Sequence, residues 1–140
     1  MAIFKTVRIS TQRFIKLKCD ALGIKYLDWD DNADITKVPE ENLAGLHGFA
    51  VANRGKMHDF GFGITCQTMN DPNLFEITNI VDQFYSAMLP EKTFDIVDPT
   101  TGTKIGVASF VEGTAVHPMN RIENRVTVSV QGSFIVDLTE

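Results

Sequence analysis

The chain has few of the residues that build reactive or metal-binding clusters. It contains only two cysteines and three histidines among 140 residues. Cys19 and Cys66 do not form a Cys-x-x-Cys pair, so the sequence supports neither redox chemistry nor a structural zinc site. The histidines share no spacing typical of metal ligands. In the absence of a secretion signal, we expect both cysteines to be buried free thiols rather than a disulfide.

Long apolar runs and a basic net charge are also missing. No run approaches the ~20 residues that a membrane helix needs, and the first residues meet Lys5 and Arg8 without the apolar region of a signal peptide. We therefore expect the chain to stay in the cytoplasm where it is made. The formal net charge of −5 argues against general nucleic-acid binding. The charge is uneven, however, since residues 5–18 are basic and residues 28–41 acidic, a polarity that suits head-to-tail contacts between copies.

The periodic segments fit one α+β domain over residues 1–140. Apolar residues at three-and-four spacing predict a helix over 3–22 that ends at Gly23, although Ser10 and Thr11 leave open a short strand followed by a helix. An acidic, proline-containing loop is predicted over 30–44. The remaining predicted elements are a strand at 24–29, paired strands at 46–53 and 58–68 joined by a turn, a helix at 72–89, and strands at 93–98, 104–110 and 125–138.

The second helix and the last strand predict how the layers are arranged. Asp71 is the predicted N-cap of that helix, Pro72 its first residue and Pro90 its stop. In the last strand the valines and Phe134 point to one side, and polar residues such as Thr127 point to the other. One apolar and one polar face indicate an antiparallel sheet of mixed-length strands with two amphipathic helices on one face, in the order α-β-β-β-α-β-β-β.

Two motifs resemble chemical sites but fit them poorly. An EF-hand loop starting at Asp30 would place Ile35 where glycine is needed, and Pro39 would interrupt it, so a solvated acidic loop is favoured over irregular cation binding. His58 and Asp59 form a polar pair that is more typical of a surface than of a catalytic site. We predict no catalytic residue, no metal and no cofactor.

The irregular segments are the predicted contact surfaces. Residues 112–124 lack periodicity and are longer than the roughly 2–5 residues of an ordinary hairpin connection. They form either a loose turn or an arm that touches another subunit. The three irregular segments are 30–44, 53–58 and 112–124. Their candidate interface residues are Asp30, Asp31, Asp34, Glu40, Glu41, Arg54, Lys56, His58, His117, Met119 and Arg121.

Four features, taken in chain order, carry a resemblance to a known family. They are the opening helix that leads into a strand (3–29), the strand that runs into Asn70-Asp71-Pro72-Asn73-Leu74-Phe75 and the second helix, the run Asp95–Gly102 followed by Ile105-Gly106, and the closing strand after Glu123-Asn124-Arg125. In this pattern the chain resembles the tail terminator (tail completion) proteins of long-tailed bacteriophages. The likeness covers most of the chain and depends on topology and length.

The resemblance implies a structural virion protein without catalytic residues. Such proteins form a hexameric ring on the last ring of tail-tube protein, end tube polymerisation and present a surface to the head-completion (neck) protein. Sheath protein is a further partner, DNA only passes through the lumen, and no membrane is involved. The expected location is the tail or neck, after assembly in the host cytoplasm. The alternatives are another neck, connector or sheath-associated subunit, or a small ligand-binding, metal-binding or enzyme domain that uses His58, Asp59 and the acidic loop.

Overall fold

The described residues form two helices and an eight-stranded sheet, which confirms the predicted α+β class. The computed structural model describes residues 3–31, 38–52 and 58–138. The helices are α1 (Ile3–Leu22) and α2 (Phe75–Ala87), and a 3-10 turn spans Trp29–Asp31. The strands are β1 (Lys25–Tyr26), β2 (Leu43–Ala52), β3 (His58–Met69), β4 (Thr93–Val97), β5 (Lys104–Phe110), β6 (Ala115–Val116), β7 (Asn120–Ile122) and β8 (Arg125–Leu138).

Helix α1 is one continuous helix with the predicted bounds. Val7, Thr11, Ile15 and Cys19 lie four residues apart and are fully buried, so they form the stripe that faces the sheet. The Thr11 hydroxyl donates to the Val7 carbonyl at 2.8 Å, which satisfies a polar group on this buried stripe. At the C-terminus Gly23 has φ 71°. The N–H groups of Ile24 and Gly23 donate to the carbonyls of Cys19 and Asp20, which is the hydrogen-bond pattern of a Schellman cap.

The segment after α1 differs from its prediction. Only Lys25–Tyr26 of the predicted strand 24–29 is a strand, because Asp28 turns away to accept hydrogen bonds from Arg8 and Gln12 of α1. Trp29 then donates from Nε1 to the Thr65 carbonyl at 2.8 Å. The predicted loop 30–44 was too long at its C-terminal end, since β2 already begins at the buried Leu43.

The strand order is β1-β2-β3-β8-β5-β4, with β6 and β7 also paired to β8. β1 pairs with β2 in parallel, and all the other pairs are antiparallel. β3 and β8 stay in register from His58↔Val136 to Met69↔Arg125, so these two long strands form the centre of the sheet. In β2 the register shifts between His47 and Ala50, at Gly48 with φ 64°, which is a β-bulge.

The sheet curls around α1. This helix contacts both β2 and β4, although three strands separate them in the sheet. Alternate residues of β3 and β8 face α1 and α2, as predicted for the valines and Phe134 of the last strand. Eight of the ten phenylalanines join one network of ring contacts on this side, with Phe134 at its centre. The core therefore lies between the concave face of the sheet and the two helices.

The start of α2 was predicted wrongly. The helix begins at Phe75 rather than Pro72, and its N-cap position is Leu74 in the left-handed region at φ 62°. Residues 71–74 form a turn instead, closed by the Leu74 N–H donating to the Asp71 carbonyl. Asp71 still serves the helix, because its carboxylate accepts the N–H groups of Glu76 and Ile77 from outside.

Residues 112–124 contain two short strands that add to the predicted order. Ala115–Val116 pairs with Val130 and Gln131, and Asn120–Ile122 pairs with the start of β8 through the turn at Glu123-Asn124. The loose-turn interpretation was therefore wrong. Together β5, β6 and β7 follow the same edge of β8 as one interrupted partner strand, which places this segment beside α2.

Candidate interaction surfaces

An apolar groove lies between α2 and the segment formed by β6 and β7. The His117 N–H donates to the Ser129 carbonyl at 2.8 Å, and the Thr114 hydroxyl donates to the Met88 carbonyl at 2.6 Å, so the segment is held against both β8 and the end of α2. The groove has a volume of about 200 Å³. Its lining residues are Ile77, Thr78, Val81, Asp82, Val116, His117, Met119 and Val128.

Three exposed apolar side chains lie on the same side of the sheet as this groove. Of the seven large hydrophobic side chains exposed in the described parts of the chain, four lie on α2, β6 or β7, or between these strands. They are Phe75 (76% exposed), Ile122 (63%), Val116 (46%) and Met119 (43%). Ile122 pairs with Arg125 and lies on the Thr127 side of β8, away from α2, so we call the other three the α2–β7 patch. Such clusters mark protein contact sites more often than isolated exposed apolar residues do.

Arg121 and Asp71 lock β7 to the start of α2. The Arg121 guanidinium donates to the Asp71 carbonyl at 3.1 Å. The Asp71 carboxylate accepts the Ile77 N–H at 2.9 Å and the Thr68 hydroxyl at 3.1 Å. Burial pushes the pKa of Asp71 upward, but these hydrogen bonds, the Glu76 N–H and the positive charge of Arg121 outweigh it and leave the pKa below its ordinary value. Arg121, predicted as an interface residue, thus also supports the edge of the α2–β7 patch.

The structure separates the predicted interface residues of the acidic segment. Asp30 accepts the N–H of Gly48 at 3.0 Å and so braces the bulge of β2. Glu40 lines a concavity of about 390 Å³ together with Met69 and Ile122, on the Thr127 side of β8. Glu41 is exposed, while its carbonyl accepts a hydrogen bond from the buried Gln67. The acidic residues of this segment whose side chains are described, Asp30, Glu40 and Glu41, therefore have different surroundings.

Several predicted positions lie outside the described residues. Asp34, Arg54 and Lys56 belong to 32–37 and 53–57, as does the predicted turn 53–56. Asp31 and His58 are described only through their backbones, in the 3-10 turn and at the start of β3. The proposed pairing of the His58 side chain with Asp59 stays a prediction for the same reason.

A second groove, which the sequence did not predict, lies between α1 and β4. It has a volume of about 350 Å³ and is lined by Ser10, Arg13, Phe14, Leu17, Lys18, Ala21, Phe94 and Asp95. Leu17 is 56% exposed at its rim. The one available signal was Leu17 itself, an apolar residue between Lys16 and Lys18 on the side of α1 away from the buried stripe.

The two cysteines are buried free thiols, as predicted. Desolvation by burial, with a smaller contribution from Asp20, raises the pKa of Cys19 to about 12, and burial also raises the pKa of Cys66. Both residues belong to the core between the helices and the sheet. Among the described residues, no three His, Cys, Asp or Glu side chains come together as ligands for a metal ion.

Comparison with known proteins supports the fold. No family model and no curated protein matches the sequence. One solved structure, which carries no functional name, aligns over 97% of this chain and 96% of its own chain, with a TM-score of 0.64 and 6% sequence identity. At this identity the likeness shows the fold alone. Within the described residues, neither helix has the length and apolar character needed to cross a membrane.

Proposed function

We propose that this protein is a structural virion protein of the bacteriophage tail terminator type. In this role, copies of the chain form a ring at the head-proximal end of the tail tube, stop tube polymerisation and present a surface to the neck protein. The tail-tube protein and the neck protein are its partners, sheath protein is a further one, and DNA passes through the lumen. The resemblance to the tail terminator family implies that the ring is a hexamer.

The α2–β7 patch is the observation that carries the proposal. It places three exposed apolar side chains, Phe75, Val116 and Met119, on the side of the sheet that carries α2, where an assembling subunit can bury them against a neighbour. Three residues predicted as contacts, His117, Met119 and Arg121, lie on the same segment. The α+β architecture, with both helices on one sheet face, is the one that the sequence pattern predicted, and the resemblance depends on that order of elements.

Electron microscopy of particles made without this protein tests the function directly. We expect tails of uncontrolled length or tails that are not joined to heads. Normal virions would overturn the proposal.

Complementation of those particles tests the patch. The double variant Phe75→Asp and Met119→Asp introduces charges into the α2–β7 patch at exposed positions, so it should fold and yet fail to restore joined tails. Thr100→Asp is the control, because Thr100 is exposed in the turn between β4 and β5. Full restoration by the double variant would exclude the patch as a working surface.

A further inference from the structure

The solvent face of α1 is basic and carries an exposed apolar residue. Arg13, Lys16 and Leu17 lie on this face, and all three are exposed. The helix contains five basic residues and one acidic residue, Asp20. One of the basic residues, Arg8, pairs with Asp28 at 2.9 Å, so the others supply the charge of the outer face.

Helix α2 and the residues that flank it in the chain carry the opposite charge. Residues 70–91 contain four acidic residues and no lysine or arginine. Glu76 and Asp82 are exposed on α2, and Asp82 lines the apolar groove beside Met119. The α2–β7 patch is therefore an apolar surface with an acidic border on α2, while the guanidinium of Arg121 at its β7 edge donates to the Asp71 carbonyl.

The two surfaces lie on different parts of the subunit. α1 packs on β1, β2 and β4, whereas α2 packs on β3 and β8. A contact between unlike surfaces repeats head to tail, and it closes into a ring when the rotation between neighbours allows it. A contact of either surface with its own copy would bring like charges together, which is unfavourable.

We propose that the exposed face of α1 in one copy docks on the α2–β7 patch of the next copy. Leu17 supplies apolar area to the patch, while Arg13 and Lys16 lie opposite Glu76 and Asp82. This interface rests on the proposed function, since it specifies how the copies in the ring meet. Charge complementarity selects the unlike surfaces as partners, and the apolar patch supplies the buried area.

Complementary charge reversals test this arrangement in the full-length protein. The first variant, Arg13→Glu with Lys16→Glu, makes the α1 face acidic. The second, Glu76→Lys with Asp82→Lys, makes the border of the α2–β7 patch basic. Each variant alone places like charges across the interface, and we expect its self-association constant to fall by about tenfold or more.

An equal mixture of the two variants is the decisive measurement. Each acidic α1 face then meets a basic patch, and each basic α1 face meets an acidic patch. Light scattering and mass photometry should therefore show restored assemblies in which the two variants alternate, with an even number of subunits. Circular dichroism and thermal unfolding establish that each variant is folded before mixing.

Matched controls separate this effect from net charge. Lys25→Glu with Lys92→Glu changes the net charge as the first variant does, and Glu112→Lys with Asp137→Lys changes it as the second does. All four positions are exposed and lie outside both surfaces. We expect these control variants to assemble like the wild type.

Each other outcome overturns the interface in an identifiable way. The interface is overturned if both reversal variants assemble as well as the wild type. It is also overturned if the mixture of the two variants does not recover assembly. Either result leaves the proposed function standing. A wild type that stays monomeric at every concentration also overturns the interface. In that case the particle experiment decides the function separately.

Discussion

Ser10 of α1 holds Val97 of β4 through both backbone groups of Val97. The Val97 N–H donates to the Ser10 hydroxyl at 2.9 Å, and that hydroxyl donates to the Val97 carbonyl at 3.4 Å. Val97 ends β4, the last strand in the sheet order, and 87 residues separate the two partners. The buried Ser10 hydroxyl thus provides the hydrogen bonds that a neighbouring strand would give Val97, and it holds this edge of the curled sheet against α1.

Ser10→Ala should destabilise the fold. It leaves the Val97 N–H and carbonyl without these partners, and we expect the free energy of unfolding to fall by about 1–3 kcal/mol. Urea denaturation followed by circular dichroism measures this change. Ser86→Ala, at an exposed position in α2, makes the same chemical change in a helix. An equal effect of the two substitutions would show that the contact with Val97 contributes nothing.

Gly45→Ala should be far more disruptive than Gly61→Ala. A Cβ at Gly45 would lie 1.4 Å from the Leu27 carbonyl oxygen, a backbone atom, so the chain after β1 would have to move. A Cβ at Gly61 meets nothing closer than the Ser133 hydroxyl oxygen at 3.6 Å. We expect a loss of about 3 kcal/mol or more in the first case and less than about 1 kcal/mol in the second. Similar melting temperatures for the two variants would contradict the packing of Leu27 on β2.

Removing the charge of Asp71 should lower the free energy of unfolding by an amount that depends on pH. The pKa of Asp71 is lower in the folded chain than the value of about 3.9 in an unfolded one. The stability that it contributes is therefore present above about pH 4 and is lost as the pH falls through the lower, folded pKa. Asp71→Asn should cost about 0.5–2 kcal/mol at neutral pH, as for loss of a helix cap, and less at pH 2–3.

The measurement for Asp71 is the free energy of unfolding from denaturant titrations across the acidic range. Asp82→Asn is the control, because it removes the same charge from an exposed position of α2. A difference between wild type and Asp71→Asn that stays constant from neutral pH to pH 2 would contradict the role of the carboxylate.

The two thiols should react slowly in the folded protein. Cys19 and Cys66 are buried, and their raised pKa values keep them protonated at neutral pH. We expect a thiol reagent to modify them only when the chain transiently unfolds. After complete unfolding in guanidinium, the same reagent should react with both thiols. Leu17→Cys adds an exposed thiol that should react at once. Fast modification of the wild type would contradict the burial of the cysteines.

The elements predicted correctly are those stabilised by contacts between residues that are close together in the chain. The bounds of α1 and its cap at Gly23 could be predicted because the apolar stripe and the cap hydrogen bonds involve residues within a few positions of each other. The two faces of β8 follow from strict alternation over one long strand. The buried state of Cys19 and Cys66 follows from their apolar surroundings.

Elements that depend on distant partners were predicted less well. Asp71 and Pro72 match the pattern of a helix start, yet Asp71 is held by Thr68 and Arg121 and caps the helix from a separate turn. β6 and β7 are too short for any periodic pattern and exist because β8 provides their hydrogen-bond partners. The α1–β4 groove could not be predicted, since no local signal places these two elements side by side.

The sequence by itself determined the α+β class, the continuous helix α1 and the apolar face of the long last strand. These properties depend on side-chain periodicity along one element, which the chain carries locally. Only the tertiary structure decided that the sheet curls around α1, that residues 112–124 pack beside α2, and that Phe75, Val116 and Met119 lie on one side of the sheet. Those features depend on strand pairing and on contacts such as Ser10 with Val97, whose partners are far apart in the chain.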